Sequence, residues 1–423
     1  MRGGFRERVG ASAPSGSMIS GAQRASVNTA GPESPATRAS SSLLAILASL
    51  AALGTLATNI LLPSLPHIAQ SFNVPTPATG SMMSAFFATF ALGQLFVGPL
   101  SDRYGRLPVI LGGLAIFIAG SFVCAVAPSL SMIVVGRVIQ AVGVCASSVL
   151  SRAIARDLFS GNELARALSF IIVGMAAAPG FSPLLGGGLD QVFGWRAAFV
   201  AVAIFGCALA PAYFFYLGET HHAARTRLDP ITIARSYLSL LGDRRFIVPA
   251  ASVSLIIGGL FAVFTVSPAI LIDGLGFSPL ALSLFFAGTV FIVFGAGITA
   301  PRLARKAGLA CITFYGSIIA CAGCLVMLML ALAGFRGFMS YLLPIHVFLF
   351  GMGLVNPLGT ALTLSPFGER AGAASALLGF LQMTAAAMAI VATTMLPILP
   401  FVALSIVLAA LTTAACLLFL FRS

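Results

Sequence analysis

Long apolar runs recur along this 423-residue chain from residue 43 onward, and they constrain its fold more than any other feature. A run of about 20 residues, as an α-helix rising about 1.5 Å per residue, crosses about 30 Å of hydrocarbon. Inside lipid, backbone amides are satisfied only in helices or closed barrels. The sequence therefore predicts twelve membrane-spanning helices, at 43–66, 79–100, 108–127, 131–155, 165–189, 196–217, 246–269, 279–300, 309–332, 338–363, 371–396 and 399–421.

The composition also indicates a chain surrounded by lipid. Hydrophobic residues make up 59% of the sequence and charged residues only 8%, whereas a soluble domain carries about 25% charged residues. So few charges could not cover the water-facing surface of a soluble protein of this length, which argues against a soluble enzyme. The net charge of +12 can indicate a nucleic-acid partner. Because the basic residues form short clusters between apolar runs, we expect no nucleic-acid partner.

The polar segments divide the chain into four regions. Residues 1–42 are rich in Ser, Gly, Ala, Pro and Arg and have no apolar run, so we predict a disordered cytoplasmic tail. The longest later polar segment, 218–245, follows the sixth run and is predicted to be a cytoplasmic central loop. Six helices lie on each side of it, in 43–217 and 246–423. The predicted fold class is an all-α membrane protein with twelve transmembrane helices in two six-helix halves.

The placement of Lys and Arg predicts the orientation. Arg196 and Arg336 fall on one side of the predicted bundle and Arg137 lies within a span, while the other basic residues fall on the side of the N-terminus. Cytoplasmic loops carry the excess of Lys and Arg in membrane proteins. We therefore expect a multi-pass protein of the bacterial inner membrane with both termini in the cytoplasm.

The loop between the second and third spans carries a motif of Gly, Asp and Arg residues. Asp102 is an anion on the cytoplasmic side, where the eleventh span begins with its positive helix dipole. We expect Asp102 to contact that helix and latch the cytoplasmic face; the alternative is a plain basic loop. A similar loop, Ala300–Lys306, follows the eighth span. The motif residues are Gly98, Asp102, Arg103, Gly105 and Arg106, and the loop resembles the signature loop of the major facilitator superfamily.

The fifth span is rich in Gly and Pro. Pro frees backbone carbonyls and bends a helix, and Gly allows a neighbouring helix to pack closely. We expect a pliable interface for rocking; the alternative is a generic Gly/Pro-rich membrane helix. The residues are Gly174, Pro179, Gly180, Pro183, Gly186 and Gly187. The segment resembles the fifth-span signature of the antiporter members of the superfamily, although Ser182 stands where Gly is usual.

The fourth span carries a polar face with an arginine. An intramembrane Arg is a functional-site hypothesis by default, so we expect Arg137 to line a central path; the alternative is that it reaches the membrane surface. The polar residues that follow it at helical spacing include Gln140, Ser147 and Ser148. This span, the segment 59–66 and the segment 356–379 resemble the Bcr/CflA-type drug-efflux branch. That resemblance implies proton-driven export of small, chemically varied compounds.

One position departs from that branch. Asn59 stands where the branch usually has Asp, and no acidic residue falls in the middle of a predicted span. A buried carboxylate is the natural proton carrier because burial raises its pKa, so three possibilities stay open. His346 could titrate, Asp102 or another loop carboxylate could carry the proton, or transport is uncoupled. Other candidate path residues are Asn356 and Gln382.

The predicted function is secondary active efflux of drug-like or metabolite molecules by alternating access, with proton antiport. The first alternative is an uncoupled facilitator or importer on the same fold, and the second is a membrane sensor. The sequence has no P-loop, catalytic triad or metal-spaced His cluster, so we expect no enzyme activity, no cofactor and no metal. The expected partners are a small-molecule substrate, the proton and membrane lipid, and we expect a monomer.

Overall fold

Helices account for nearly all of the chain that the structure describes. The computed structural model describes residues 41–220 and 230–420, so most of the predicted tail lies outside the described residues. The fourteen α-helices within that part of the chain are α1 Ser41–Asn59, α2 Leu65–Ser71, α3 Gly80–Tyr104, α4 Arg106–Ala125, α5 Leu130–Leu158, α6 Gly161–Phe193, α7 Arg196–Tyr216, α8 Pro230–Leu241, α9 Arg244–Pro268, α10 Pro279–Ala307, α11 Leu309–Leu332, α12 Phe338–Leu364, α13 Ala371–Met395 and α14 Pro400–Leu420.

Twelve of these helices form the membrane bundle. Eleven segments of the described residues are long and apolar enough to cross a membrane, and α6, with 33 residues, supplies the twelfth. The two remaining helices, α2 and α8, have 7 and 12 residues. The predicted fold class is confirmed, and the ends of most predicted spans agree with the helix ends to within a few residues.

The first predicted span is interrupted in the structure. The prediction was one helix over 43–66, but α1 ends at Asn59, a 3-10 turn follows at Leu62–Ser64, and α2 then begins. Pro63 and Pro66 lie in this segment, and Pro cannot donate the backbone hydrogen bond that would continue the helix. The segment 218–245, predicted as a loop, also contains a helix, α8.

Glycines bring neighbouring helices into backbone contact at equivalent places in the two halves. A Cβ added at Gly143 of α5 would lie 2.3 Å from the backbone nitrogen of Phe117 on α4. One added at Gly351 of α12 would lie 2.5 Å from the backbone nitrogen of Ala320 on α11. In lipid, helix association depends on such close packing. The pairs α4–α5 and α11–α12 are therefore matching elements of the two halves.

A left-handed glycine marks the same turn in each half. Gly105, between α3 and α4, has φ +98° and ψ 161°. Gly308, between α10 and α11, has φ +88° and ψ 150°. A side chain would strain the backbone at these angles. The repeat suggested by the two basic loops thus extends to the backbone conformation.

Contacts between the halves run along two helix pairs. Helix α3 packs on α13, and α6 packs on α10. The hydroxyl of Ser283 on α10 donates a hydrogen bond to the Pro183 carbonyl oxygen on α6, at 3.0 Å. The rings of Phe87 on α3 and Phe261 on α9 lie 4.4 Å apart between centroids. These contacts join the two six-helix halves.

We predict that Gly113→Leu lowers stability far more than Gly112→Leu. A Cβ at Gly113 would lie 2.7 Å from the carbonyl oxygen of Gly143, whereas one at Gly112 would meet nothing within 4 Å. Overpacking of this kind costs about 1–3 kcal/mol. The measurement is the midpoint of thermal unfolding of each variant in detergent. An equal decrease in both variants would contradict the proposed role of glycine in the α4–α5 contact.

Candidate functional site

Arg137 is the centre of a polar cluster inside the first half of the bundle. Its side chain is fully buried, and Nη1 donates hydrogen bonds to the Ala57 carbonyl oxygen at 3.1 Å and to Gln140 Oε1 at 2.6 Å. The guanidinium carbon lies 4.0 Å from the centroid of the Phe86 ring. Gln140 Nε2 in turn donates to Ser121 Oγ at 2.7 Å. We call these residues the Arg137 cluster.

The Arg137 cluster holds a buried charge without a carboxylate. Among the described residues Arg137 has no ion pair, so its charge is stabilised by a carbonyl, an amide and the face of an aromatic ring. Its Nε has no hydrogen-bond partner in the part of the chain that the structure describes. Because the side chain has no exposed surface, Arg137 is enclosed within the first half, and its place on a central path stays a prediction. The cluster joins α1, α3, α4 and α5.

The other predicted polar residues of this half face neighbouring helices. Ser148 Oγ donates to the Ala51 carbonyl oxygen on α1 at 2.9 Å. Ser147 Oγ is buried without a partner. Asn59 is buried and donates to the Thr55 carbonyl oxygen of its own helix at 2.9 Å. The polar face of α5 therefore packs against α1.

The predicted path residues of the second half lie apart from the Arg137 cluster. His346 Nδ1 lies 2.6 Å from the Leu342 carbonyl oxygen of its own helix, and its ring meets the Phe285 ring edge-on. Asn356 and Gln382 are half-buried on α12 and α13. No hydrogen bond or ion pair within the described ranges joins these three residues to the Arg137 cluster.

Arg106 is the centre of a second polar group, at the end of α3. Its Nη1 donates to Asp102 Oδ1 at 2.7 Å and its Nε to Asp157 Oδ2 at 3.0 Å. Nη1 also contacts Ser101 Oγ. We call Ser101, Asp102, Arg106, Asp157 and Glu219 the Arg106 network, and the end of the bundle where it lies the Asp102 end. The network ties α3, α4 and α5 together.

Glu219 caps the first turn of α4. Its carboxylate accepts hydrogen bonds from the backbone nitrogens of Arg106 at 2.9 Å and Leu107 at 3.2 Å. A carboxylate at a helix N-terminus satisfies free N–H groups and interacts favourably with the helix dipole. A Cβ at Gly105 would lie 2.3 Å from Glu219 Oε2. The motif glycine thus makes room for an acid that follows α7.

A cavity of about 460 Å³ opens beside the Arg106 network. It is lined by α3, α5 and α8 and by the first turn of α13. Asp102 and Gly372 line the same cavity, and the hydrogen bond described for Asp102 is the one to Arg106. Gly98 also lines it, while Arg103 lies over the ring of Tyr104, 5.4 Å from its centroid. Contact of Asp102 with α13 therefore stays a prediction.

The opposite end of the bundle is packed more closely. The cavity between α3, α9 and α13 there holds about 20 Å³. A Cβ at Gly80 of α3 would lie 2.5 Å from Thr394 of α13. At this end His67 Nδ1 lies 2.9 Å from Asp190 Oδ1, and the Asp190 side chain is only 6% exposed. Of these two cavities, the one at the Asp102 end is thus much the larger.

The glycines of α6 face both halves. A Cβ at Gly186 would lie 1.8 Å from the Ile60 carbonyl oxygen, and one at Gly174 would lie 3.0 Å from Ala48 Cβ, both in the first half. Gly180 and Gly187 approach Val290 and Ser283 of α10, each at 3.0 Å from the added Cβ. Pro179 and Pro183 lie inside the helix. Helix α6 therefore packs closely on both of its partners.

Comparison with known proteins identifies the family. The family model described as Major Facilitator Superfamily matches residues 47–390. The chain is 32% identical to "Multidrug resistance protein D" of Escherichia coli over 77% of this chain and 82% of that protein. It is 30% identical to "Bicyclomycin resistance protein homolog" of Haemophilus influenzae over 59% of this chain and 63% of that protein. The chain belongs to the major facilitator superfamily. Its relatives place it in the Bcr/CflA-type branch.

A solved structure supports the same fold. The crystal structure of a D-xylose-proton symporter aligns with a TM-score of 0.71 over 89% of this chain and 96% of its own, at 16% identity. At this identity the likeness shows the fold alone. The family match makes this chain a multi-pass membrane transporter of a small-molecule substrate rather than an enzyme.

Sequence reasoning missed several residues of this transporter. Asp157 and Glu219 were not singled out from the sequence, although both interact with Arg106. Ser121 and the His67–Asp190 pair were not singled out. One signal was available for Glu219, because it is the acidic residue that directly follows the sixth apolar run. The others depend on distant parts of the chain.

We predict that Arg106→Lys destabilises the Asp102 end of this transporter. A Lys side chain has one ammonium and cannot present a planar fork to two carboxylates, so one of the hydrogen bonds to Asp102 and Asp157 is lost, at about 1.5–3 kcal/mol. The matched control is Arg302→Lys, since Arg302 is exposed and has no ion pair among the described residues. Thermal unfolding in detergent should shift for Arg106→Lys only. Equal curves for the two variants would refute the bridging role.

Proposed function

We propose that this chain exports small molecules across the bacterial inner membrane by alternating access, driven by proton antiport. The observation that carries the proposal is the difference between the two ends: a cavity of about 460 Å³ at the Asp102 end and one of about 20 Å³ at the other. A transporter of two halves that exposes its path to one side at a time has this asymmetry. Two of the relatives are named for resistance to drugs, which supports export.

We assign the Asp102 end to the cytoplasm. Arg152, Arg156, Arg302 and Arg305 lie at or near this end, on α5 and α10, and Lys and Arg favour the cytoplasmic side. Both described chain ends, at α1 and α14, then lie on the cytoplasmic side too. With this orientation, the structure corresponds to a state that admits substrate from the cytoplasm.

Closure of the cytoplasmic side would bring α13 toward Asp102. The N-terminal turn of α13 and Asp102 line one cavity, and the positive end of a helix dipole attracts a carboxylate. Arg106 holds Asp102 in place while Glu219 holds the start of α4. The Gly-mediated contacts of α6 with α1 and α10 provide an interface along which the halves can rock.

The proton carrier is the open part of this proposal. Asn59 cannot titrate, and His346 bonds to its own helix. Asp190 is a carboxylate of the described chain with little exposure, and it pairs with His67. It therefore joins Asp102 and His346 as a candidate carrier. The second candidate function, an uncoupled facilitator or importer, is favoured by Asn59. The sensor alternative is dropped because the family consists of transporters.

We predict uptake that depends on a proton gradient in everted membrane vesicles. A panel of drug-like compounds is offered with an imposed acidic interior, with no gradient, and with the gradient collapsed by nigericin. Export in the cell corresponds to accumulation inside everted vesicles, so at least one compound should accumulate several-fold over vesicles without the protein. Flux that is the same in all three conditions would instead establish the facilitator, and no flux of any compound would reject export.

We predict that Asp102→Asn slows transport strongly while the protein stays in the membrane. Asn is neutral, so the charge-assisted hydrogen bonds of Asp102 in the closed state are weakened by about 1.5–3 kcal/mol, which corresponds to roughly 10- to 100-fold in rate. The control is Asp273→Asn, because Asp273 is exposed after α9. Membrane abundance and initial flux are measured for both. Normal flux in Asp102→Asn would remove the latch hypothesis.

A further inference from the structure

The cavity beside the Arg106 network contains more positive than negative charge. Three arginines, Arg106, Arg152 and Arg156, line it with two carboxylates, Asp102 and Asp157. Both carboxylates hydrogen-bond to Arg106. The charge of Arg106 is thereby neutralised by residues of the protein, and the charges of the other two arginines are not.

Arg152 and Arg156 have no ion pair among the described residues. They lie one helical turn apart on α5, and both are exposed on the side that faces the cavity. Like charges at this spacing repel each other and destabilise a helix. The preference of Lys and Arg for the cytoplasmic side accounts for basic residues at this end, but not for two that line the same cavity. An anion between them would remove the repulsion and satisfy several N–H donors at once.

Gln94 is a second and independent sign of a ligand. It lines the same cavity from α3 and is only 7% exposed, yet no residue of the described chain hydrogen-bonds to its amide. An amide that faces a cavity without a protein partner offers one acceptor and two N–H donors to a ligand. A Cβ at Gly379 of α13 would lie 1.9 Å from Gln94 Oε1. The amide therefore occupies space that is free only because residue 379 is a glycine. Gln94 lies two helical turns from Asp102, toward the membrane interior.

The remaining walls suit an apolar body. Val149, Leu150 and Ala153 of α5 and Ala373 and Ala376 of α13 line the cavity. Among the described residues no side chain caps the first turn of α13, and the positive end of its helix dipole favours a negative group nearby. An occupant would thus meet arginines and a helix N-terminus at one end and aliphatic side chains with one amide at the other.

We propose that this cavity is a binding site for organic anions that carry one carboxylate or phosphate-type group on an apolar body. Arg152 and Arg156 bind the anionic group, and Gln94 donates a hydrogen bond to a polar atom deeper in the ligand. The inference rests on the proposed export function, in which such an anion is the substrate that enters from the cytoplasm. The anionic group could also belong to a lipid headgroup, and the experiment distinguishes the two sources.

The test measures equilibrium binding to the full chain, without a proton gradient, in nanodiscs of phosphatidylcholine. The probes are 6-hydroxy-2-naphthoate, the neutral 6-hydroxy-2-naphthamide and the cationic 6-hydroxy-2-naphthylmethylammonium (below naphthoate, naphthamide and naphthylmethylammonium), which share one apolar body and one distal hydroxyl that can accept a hydrogen bond from Gln94. The wild-type protein should bind naphthoate at least tenfold more tightly than the other two. Arg152→Gln and Arg156→Gln should each weaken naphthoate binding about tenfold, equivalent to about 1.4 kcal/mol, and Gln94→Leu should weaken all three probes. The control is Arg305→Gln, an exposed arginine of α10 outside the cavity.

Each result of the binding test either supports or overturns the proposed anion site. Equal affinity for naphthoate and naphthamide, or unchanged naphthoate binding in both cavity arginine variants, overturns the proposal. Size-exclusion profiles of the variants identify any that fail to fold, and the probe preference of the wild-type protein tests the proposal without them. The binding measurement is then repeated in nanodiscs that contain phosphatidylglycerol. If this anionic lipid competes with naphthoate, the site binds a lipid headgroup; if it does not compete, the site binds a soluble anion. Binding without gradient-driven flux would reject export and keep the anion site.

Discussion

Close approach of helix backbones is the interaction on which the rest of this structure depends. Within lipid, apolar side chains gain little by contacting each other instead of acyl chains, so association relies on tight packing and on buried polar contacts. Gly143 on Phe117 and Gly351 on Ala320 provide that packing in the two halves. The same geometry allows α6 to lie against α1 and α10 together. The two halves can therefore be rigid within themselves and still meet along surfaces of small residues.

The polar residues are sorted into two environments with different consequences. The Arg137 cluster is enclosed within the first half, where a carbonyl, an amide and an aromatic ring stabilise the charge. It joins four helices, which favours their movement as one body. The Arg106 network lies beside a cavity that both halves line. A charged residue of this network can change its partners when the halves move, so the network suits a role in opening and closing the cavity.

Prediction from sequence succeeded where the signal was local. The ends of α11 to α13 agree with the predicted spans because hydropathy and glycine punctuation are properties of neighbouring residues, whereas α10 continues to Ala307, beyond its predicted end at residue 300. It was less successful at the end of α1, where the chain stays largely apolar but Pro63 and Pro66 interrupt the helix. The motif around Asp102 was recognised, but its second carboxylate, Asp157, and its capping acid, Glu219, were not. Arg152, Arg156 and Gln94 acquired their significance only once α3, α5 and α13 were seen around one cavity.

The sequence by itself determined that lipid surrounds the chain, how many helices cross the membrane and where the chain divides into halves. Each of these follows from the order of apolar and charged residues along the chain. Only the tertiary structure decided which polar groups meet. Glu219 and Arg106 are separated by 113 positions, and Asp157 and Arg106 by 51. No periodicity links such residues, since their contact depends on how whole helices pack. The same packing leaves Gln94 without a partner and two arginines facing a cavity, which no linear pattern could reveal.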